Sequence, residues 1–305
     1  MNKRPIWIDC DPGVDDAAAL FVAHDCPELE LVGISTVAGN APLEKTTRNA
    51  LCLCEKMGAS YPVYRGAEKP LLKPYEDGAD FHGADGMGGA GLPEPKSRPQ
   101  AEAAWDALYL AAKRYGGRLE VVTMGPMTNP ALALSKYPDL KDYIARIAVM
   151  GGSITRGNCT PCAEYNVFAD PEAAQIVFRS GIPIVMCGLE LTEQAYLTAS
   201  ELESLRATEN GEFYYQASKH ILEKNLEAGH GGFCIHDVCP VLYLARPELF
   251  SGETAGVFVE TQAKLSLGKT VCDLYSDKKF DFRNTLVLLE IDREAFVAAV
   301  RHALQ

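Results

Sequence analysis

The chain has 305 residues, 47% of them hydrophobic and 23% charged, which suits a globular protein with a substantial core. Twenty-nine Lys and Arg against 41 Asp and Glu leave a net charge of -12. No Lys/Arg cluster offsets that charge locally, which argues against nucleic acid and against an anionic membrane as partners. No apolar run reaches the roughly 18 residues of a membrane span, and no apolar segment of signal-peptide type follows Lys3-Arg4, so a soluble, cytoplasmic protein built as one domain over 1–305 is expected. Ten cysteines in such a chain read as reduced thiols rather than disulfides. Cys159-Thr-Pro-Cys162 has no second pair to complete a zinc site, and Cys234, His236 and Cys239 match no usual zinc spacing.

Strand and helix signals alternate along the chain. Ile6-Trp7-Ile8 opens as a short strand, Ala17 to Ala23 reads as helix, and Leu29 to Val37 as strand. Helix around Leu43 to Met57, strand at Pro62 to Tyr64, helix from Ala101 to Arg114 and strand from Leu119 to Met124 follow. A helix near Asn129 to Ser135, strand Ile144 to Met150, helix Pro171 to Arg179 and strand Ile182 to Cys187 continue the series. Helices dominate from Ala199 to about Leu244; Val257 to Val259 and Thr285 to Leu289 are late strands, and Asp292 to Leu304 is a closing helix. This alternation predicts an α/β fold with a mostly parallel central sheet flanked by helices, open and doubly wound. Two glycine-rich stretches interrupt it: 78–99, containing His82-Gly83-Ala84-Asp85-Gly86-Met87-Gly88-Gly89, and Gly229-His230-Gly231-Gly232. The first is too long for a simple connector.

Asp9, Asp11, Asp15 and Asp16 crowd around the turn Pro12-Gly13. If 6–10 is a strand, Asp9 and Asp11 leave it on the same side, and Asp15 and Asp16 open the next helix, at the carboxyl end of the sheet where ligands collect. Helix capping accounts for one or two of these acids, since the dipole offers only about 0.3–1 kcal/mol per charge. It does not account for four, because neighbouring carboxylates raise each other's pKa. No Lys or Arg lies between Arg4 and Lys45, so a metal ion is the expected counter-charge, and oxygen ligands select Ca²⁺ or Mg²⁺. An EF-hand is excluded, because Leu20 stands where its bidentate Glu is required.

"DCDPGVDDAAAL" at 9–20 closely resembles the opening motif of the nucleoside hydrolases, enzymes that split ribonucleosides into base and ribose. "TVAGN" at 36–40, "HGADGMGG" at 82–89, "MGPMTNPALAL" at 124–134, "NCTPCAEYNVFADPEAA" at 158–174, "HD" at 236–237 and "TVCDLYS" at 270–276 with Asn284 beyond follow in the family's order. The resemblance spans essentially the whole chain. It implies a Rossmann-like fold and a Ca²⁺ held by Asp11, Asp16, Asp237, the carbonyl of Met124 and a water, with Asp9 supporting from the edge. Asp15 would bind ribose hydroxyls beside the metal, Asn158, Glu164 and Asn166 the rest of the sugar, and Asn40 would be a further ribose or water-orienting contact. A homodimer or homotetramer is the implied assembly.

The residue types suit that chemistry. Cleavage of a ribosidic C–N bond passes through an oxocarbenium-like state, which carboxylates and amide oxygens stabilise. Asp11 can act as general base on a Ca²⁺-bound water. His236 and, more weakly, His82 are candidates to assist the leaving base, while His24, His220 and His302 read as structural and His230 as part of a closing segment. The segment 222–232 lacks the tyrosines some family members present to the base, and Tyr165 stands where Phe is usual, adding a hydroxyl near the sugar. Two rival functions remain. Asp9-Cys10-Asp11 also fits the start of a haloacid-dehalogenase-like Mg²⁺ phosphatase, although Gly13 stands where that pattern has Thr or Val. The other rival is a non-catalytic Ca²⁺-dependent nucleoside binder, which the full set of acids disfavours.

Overall fold

The run from Pro5 to Cys10 is buried along its whole length, as a strand covered on both faces must be. A computed structural model, which describes residues 3–76, 83, 85–275 and 279–305, places it third from one edge of a nine-stranded sheet. The strands are β1 (Arg4–Cys10), β2 (Leu29–Thr36), β3 (Val63–Arg65), β4 (Leu119–Thr123), β5 (Ile144–Met150), β6 (Ile184–Cys187), β9 (Phe250–Val259), β10 (Thr270–Asp273) and β11 (Thr285–Ile291). Their spatial order is β10-β9-β11-β6-β5-β4-β1-β2-β3. Every pairing from β3 across to β11 is parallel, while β9 runs antiparallel to both β11 and β10. A separate antiparallel pair joins β7 (Tyr196–Leu197) to β8 (Phe233–Cys234).

The two faces carry separate cores, and β1 feeds both by strand alternation. Ile6, Ile8 and Cys10 join Leu20 and Phe21 of helix Val14–Asp25, Leu242 of helix Val238–Ala245, Tyr214 of helix Glu209–Glu227 and Phe296 of helix Arg293–Ala303. Trp7 points the other way, to Leu108 of helix Ala104–Tyr115, Ala131 of helix Thr128–Lys136 and Ala174 of helix Pro171–Phe178. The chain winds from β1 through β2 to β3 in one direction, then crosses back to β4 and on to β6 in the other. The loops after β1 and β4 therefore diverge, opening a crevice at the carboxyl ends of the two strands.

The mostly parallel α/β expectation holds. It lacks β10, whose four residues are too short for a periodic signal, and it starts β9 seven positions late, because Ser251 to Thr254 are exposed and polar yet still pair with β11. The helical stretch 199–244 is interrupted by β8, two residues that find a partner only in β7.

Candidate active site

Asp11 is the first residue after β1, and Met124 the first after β4, so the two flank the crevice; the Met124 N–H continues the ladder to the carbonyl of Asp9 at 2.8 Å. Asp11 is fully buried and gripped from both sides. The backbone N–H of Asn40 donates to its Oδ2 at 2.6 Å. A Cβ on Gly39 would stand 2.0 Å from Oδ2, and one on Gly125 2.4 Å from Oδ1. Only glycine at these two positions lets the neighbouring loops close on the carboxylate.

Asp16 both caps and converges. Its carboxylate reaches back to the N–H of Gly13 (2.8 Å) and of Asp11 (3.3 Å), which stabilises the start of helix Val14–Asp25. It also accepts the side-chain N–H of Asn40 at 3.2 Å and shares a hydrogen bond with Asp237, more than two hundred positions downstream. Oxygens of Asp15, Asp16 and Asp237 lie within 4.8 Å of one another, and the backbone N–H of His236 donates to Asp15. Asp11 stands just outside this trio. Among the described residues no other group of metal-ligating side chains gathers so closely, so Cys234, His236 and Cys239 form no zinc site. Cys159 and Cys162 are free thiols, as are the other cysteines.

The electrostatics are severe. Burial, then the charge of Asp16, holds Asp11 well above the ordinary carboxylate range; burial, then Asp15, does the same for Asp237. Burial raises Asp15 to about 7 and Asp16 to about 6. Among the described residues no Lys or Arg pairs with any of them. Oδ1 of Asp11 and Oδ1 of Asp15 are buried without a hydrogen-bond partner. Hard oxygen donors, buried, unneutralised and partly unpartnered, fit a divalent cation.

Asp9 lies beneath, raised by burial to about 7. Its Oδ1 accepts the Ser35 hydroxyl, itself held by the indole N–H of Trp7 at 2.8 Å, and the side-chain N–H of Asn129 at 2.7 Å. Asp9 thus fastens β1 to β2 and to helix Thr128–Lys136 under the carboxylates.

A cavity of about 240 Å³ opens above, lined by Asp15, Asn40, Met124, Met150, Asn158, Cys159, Glu164, Tyr165, Asn166, His236 and Asp237. It brings together every predicted substrate contact. Asp11 and Asp16 are not among its lining residues, and His82 lies outside the described residues. Glu164 caps the short helix Tyr165–Ala169, accepting the N–H groups of Asn166 (2.9 Å), Val167 (3.3 Å) and Gly152 (2.8 Å), yet burial still lifts it to about 7. The Asn166 side-chain N–H donates to the carbonyls of Met124 (3.0 Å) and Met150 (3.1 Å), bridging the ends of β4 and β5. Asn158 accepts the N–H of Tyr165 at 2.9 Å, and the Tyr165 hydroxyl donates to the carbonyl of Gly39 at 2.8 Å. That hydrogen bond braces the cavity wall against the loop after β2.

His236 is half-buried, its ring withdrawn far enough from solvent that desolvation lowers its pKa to about 4, and Nδ1 contacts the Thr192 hydroxyl at 2.8 Å. It also lines an adjoining cavity of about 680 Å³ with Asn158, Arg156, Glu193, Tyr196, Asn225 and His230. Thr192, Ser35 and Asn129 escape sequence reasoning, since their partners come from distant segments.

Residues 6–298 match the family model described as inosine-uridine preferring nucleoside hydrolase. The chain belongs to this nucleoside hydrolase family. It is 43% identical over 305 residues to the non-specific ribonucleoside hydrolase RihC of Escherichia coli O7:K1, covering 99% of this chain and 98% of the relative. A purine-preferring ribonucleoside hydrolase from Gardnerella vaginalis superposes with a TM-score of 0.92 at 32% identity over 98% of each chain. A plant nucleoside hydrolase, PpNRh1, gives 0.92 at 30% over 99% of each. This nucleoside hydrolase is therefore an enzyme that splits a ribonucleoside into base and ribose, and the phosphatase and pure-binder readings give way.

Two expectations follow for this hydrolase. Replacing Gly39 by Ala displaces Asp11, and because a 1 Å misplacement in a catalytic site costs on the order of 100-fold, kcat/KM falls by about that factor while far-UV circular dichroism is unchanged. The second concerns pH. Unfolded carboxyls titrate near about 4, whereas Asp9, Asp15 and Glu164 titrate at about 7 and Asp16 at about 6 in the folded chain. Metal-free folded protein then binds more protons than the unfolded chain, so this stability, complete below pH about 4, is lost as pH rises through 7. His236, lowered to about 4, acts in the opposite direction but is one group against several. Calorimetric scans of metal-free protein should give a lower Tm at pH 8 than at pH 5, and a divalent ion should raise Tm more at pH 8.

Proposed function

We propose that the cavity holds the ribose of a ribonucleoside beside a Ca²⁺ and that Asp11 is the general base. The observation that carries this reading is the convergence of Asp11, Asp15, Asp16 and Asp237 in a buried crevice with, among the described residues, no cationic side chain paired to them. Asp11, Asp16, Asp237 and the Met124 carbonyl would hold the ion. Bound there, it supplies a polarised water and ligation for the 2′ and 3′ hydroxyls.

The remaining work falls to the chain. Asp11, with Oδ1 unpartnered, takes a proton from the attacking water. Asp15 accepts a hydrogen bond from a ribose hydroxyl, and Asn158, Glu164 and Asn166 hold the opposite edge of the sugar, their own positions set by the capping and bridging bonds around them. As positive charge grows on the sugar, Asp15 and Glu164 stabilise it from fixed positions in a site sheltered from water. Asn40 orients the acids, since its N–H groups bind Asp11 and Asp16. If the Thr192 hydroxyl donates to Nδ1 of His236, the proton of the neutral ring sits on Nε2, from which it can donate a hydrogen bond to the departing base. His82 remains the second candidate for that assistance.

The adjoining cavity of about 680 Å³ suits purines and pyrimidines alike, in keeping with the relative named non-specific. Free thiols throughout suit the cytoplasm. One domain over 1–305 and a homodimer or homotetramer complete the reading, with exposed Phe258 and Val271, cross-strand neighbours on β9 and β10, favouring assembly.

Reducing-sugar release across uridine, cytidine, inosine and adenosine should show turnover, while the 2′-deoxy forms should be slower by about 100-fold or more, for lack of a hydroxyl at the ion. Equal rates on uridine and deoxyuridine would refute the ribose clamp. Asp11→Ala should lose nearly all turnover, at least about 1,000-fold, yet still bind inosine in calorimetry. A chelator should inactivate the wild type reversibly, with Ca²⁺ restoring activity.

A further inference from the structure

Asn49 sits on helix Leu43–Lys56 and is only 1% exposed. Its side-chain N–H groups donate to two carbonyls from unrelated parts of the chain, Pro12 at 3.1 Å and Asp85 at 2.9 Å, while its own Oδ1 is buried without a partner. A buried, unpaired amide oxygen costs stability, so what this side chain contributes is the double tie. Pro12 belongs to the turn that presents Asp11 on one side and Gly13, held by Asp16, on the other. Asp85 belongs to the long glycine-rich segment.

That segment is built onto the turn. Asp85 Oδ1 accepts the N–H of Met87 at 2.9 Å and of Gly89 at 3.1 Å, and Met87 is buried in the core. Gly86 has φ +76°, and a Cβ there would lie 3.1 Å from Nδ2 of Asn49 and 3.5 Å from the Pro12 carbonyl. Further along, Arg48 donates to the Leu92 carbonyl at 2.8 Å and Glu55 accepts the N–H of Lys96 and Ser97. One helix therefore straps down the segment, and among the described residues it is at Asn49 that the strap reaches the carboxylate turn.

We propose that Asn49 is a positioning residue for the divalent-ion site, locking the Asp11–Asp16 turn to the docked segment Asp85–Gly89 so that ion binding and docking stabilise each other. This rests on the Ca²⁺ reading above. Thermodynamic linkage makes the effect reciprocal: the ion must tighten the segment by the same factor by which docking tightens the ion.

Hydrogen exchange on the wild type, with and without saturating Ca²⁺, should show slower exchange of the Met87 and Gly89 amides with the ion present. Asn49→Ala should bind Ca²⁺ about tenfold more weakly by titration calorimetry and lose that ion-dependent protection. Arg48→Ala loosens the far end of the strap without touching Pro12 and should keep wild-type Ca²⁺ affinity, a difference that general destabilisation would not produce. Wild-type affinity in Asn49→Ala, or amide exchange in the wild type indifferent to Ca²⁺, overturns the proposal and leaves the catalytic reading intact. Should Asn49→Ala fail to fold, the wild-type exchange comparison decides. A wild type that binds no Ca²⁺ sinks both.

Discussion

Four acids, Asp11, Asp15, Asp16 and Asp237, converge in a crevice where, among the described residues, no Lys or Arg pairs with them. Withdrawing an ionised carboxylate from solvent costs several kcal/mol even after relaxation, and mutual repulsion adds to it. The fold can hold such a group protonated, or it can hold it ionised around a cation. The reversal of strand order at β1 and β4 supplies the crevice, the glycines at 39 and 125 let the loops close on Asp11, and Asp9 with Ser35 and Asn129 anchors the floor.

Capping a helix and facing the crevice are not alternatives in this site. Asp16 starts helix Val14–Asp25 and Glu164 starts helix Tyr165–Ala169, each through hydrogen bonds to backbone N–H groups. Those bonds favour the ionised form and fix the carboxylate, while burial opposes ionisation. A side chain fixed by its own helix keeps its geometry when a sugar arrives, which lowers the cost of reorganisation at the moment of reaction.

Much of this was legible in the sequence, and the reason is local. The acids of 9–16, the Asn158 to Asn166 series and His236-Asp237 sit in short contiguous motifs, where residue type alone signals chemistry. The parallel sheet was legible because apolar runs and helical periods alternate. Asn129, Thr192 and Asn49 were not, because each acts on a carbonyl, hydroxyl or ring brought near only by folding, and an isolated amide or hydroxyl inside a helical pattern carries no mark of its partner. β10 and the β7–β8 pair were illegible for a related reason: strands of two to four residues owe their existence to the partner strand.

The distance along the chain between Asp16 and Asp237 has a consequence for how the protein comes into being. During synthesis the amino-terminal acids emerge long before the residue that joins them, so a growing chain holds an incomplete acidic cluster. The cluster is complete only once the segment carrying helix Val238–Ala245 has docked against the amino-terminal turn.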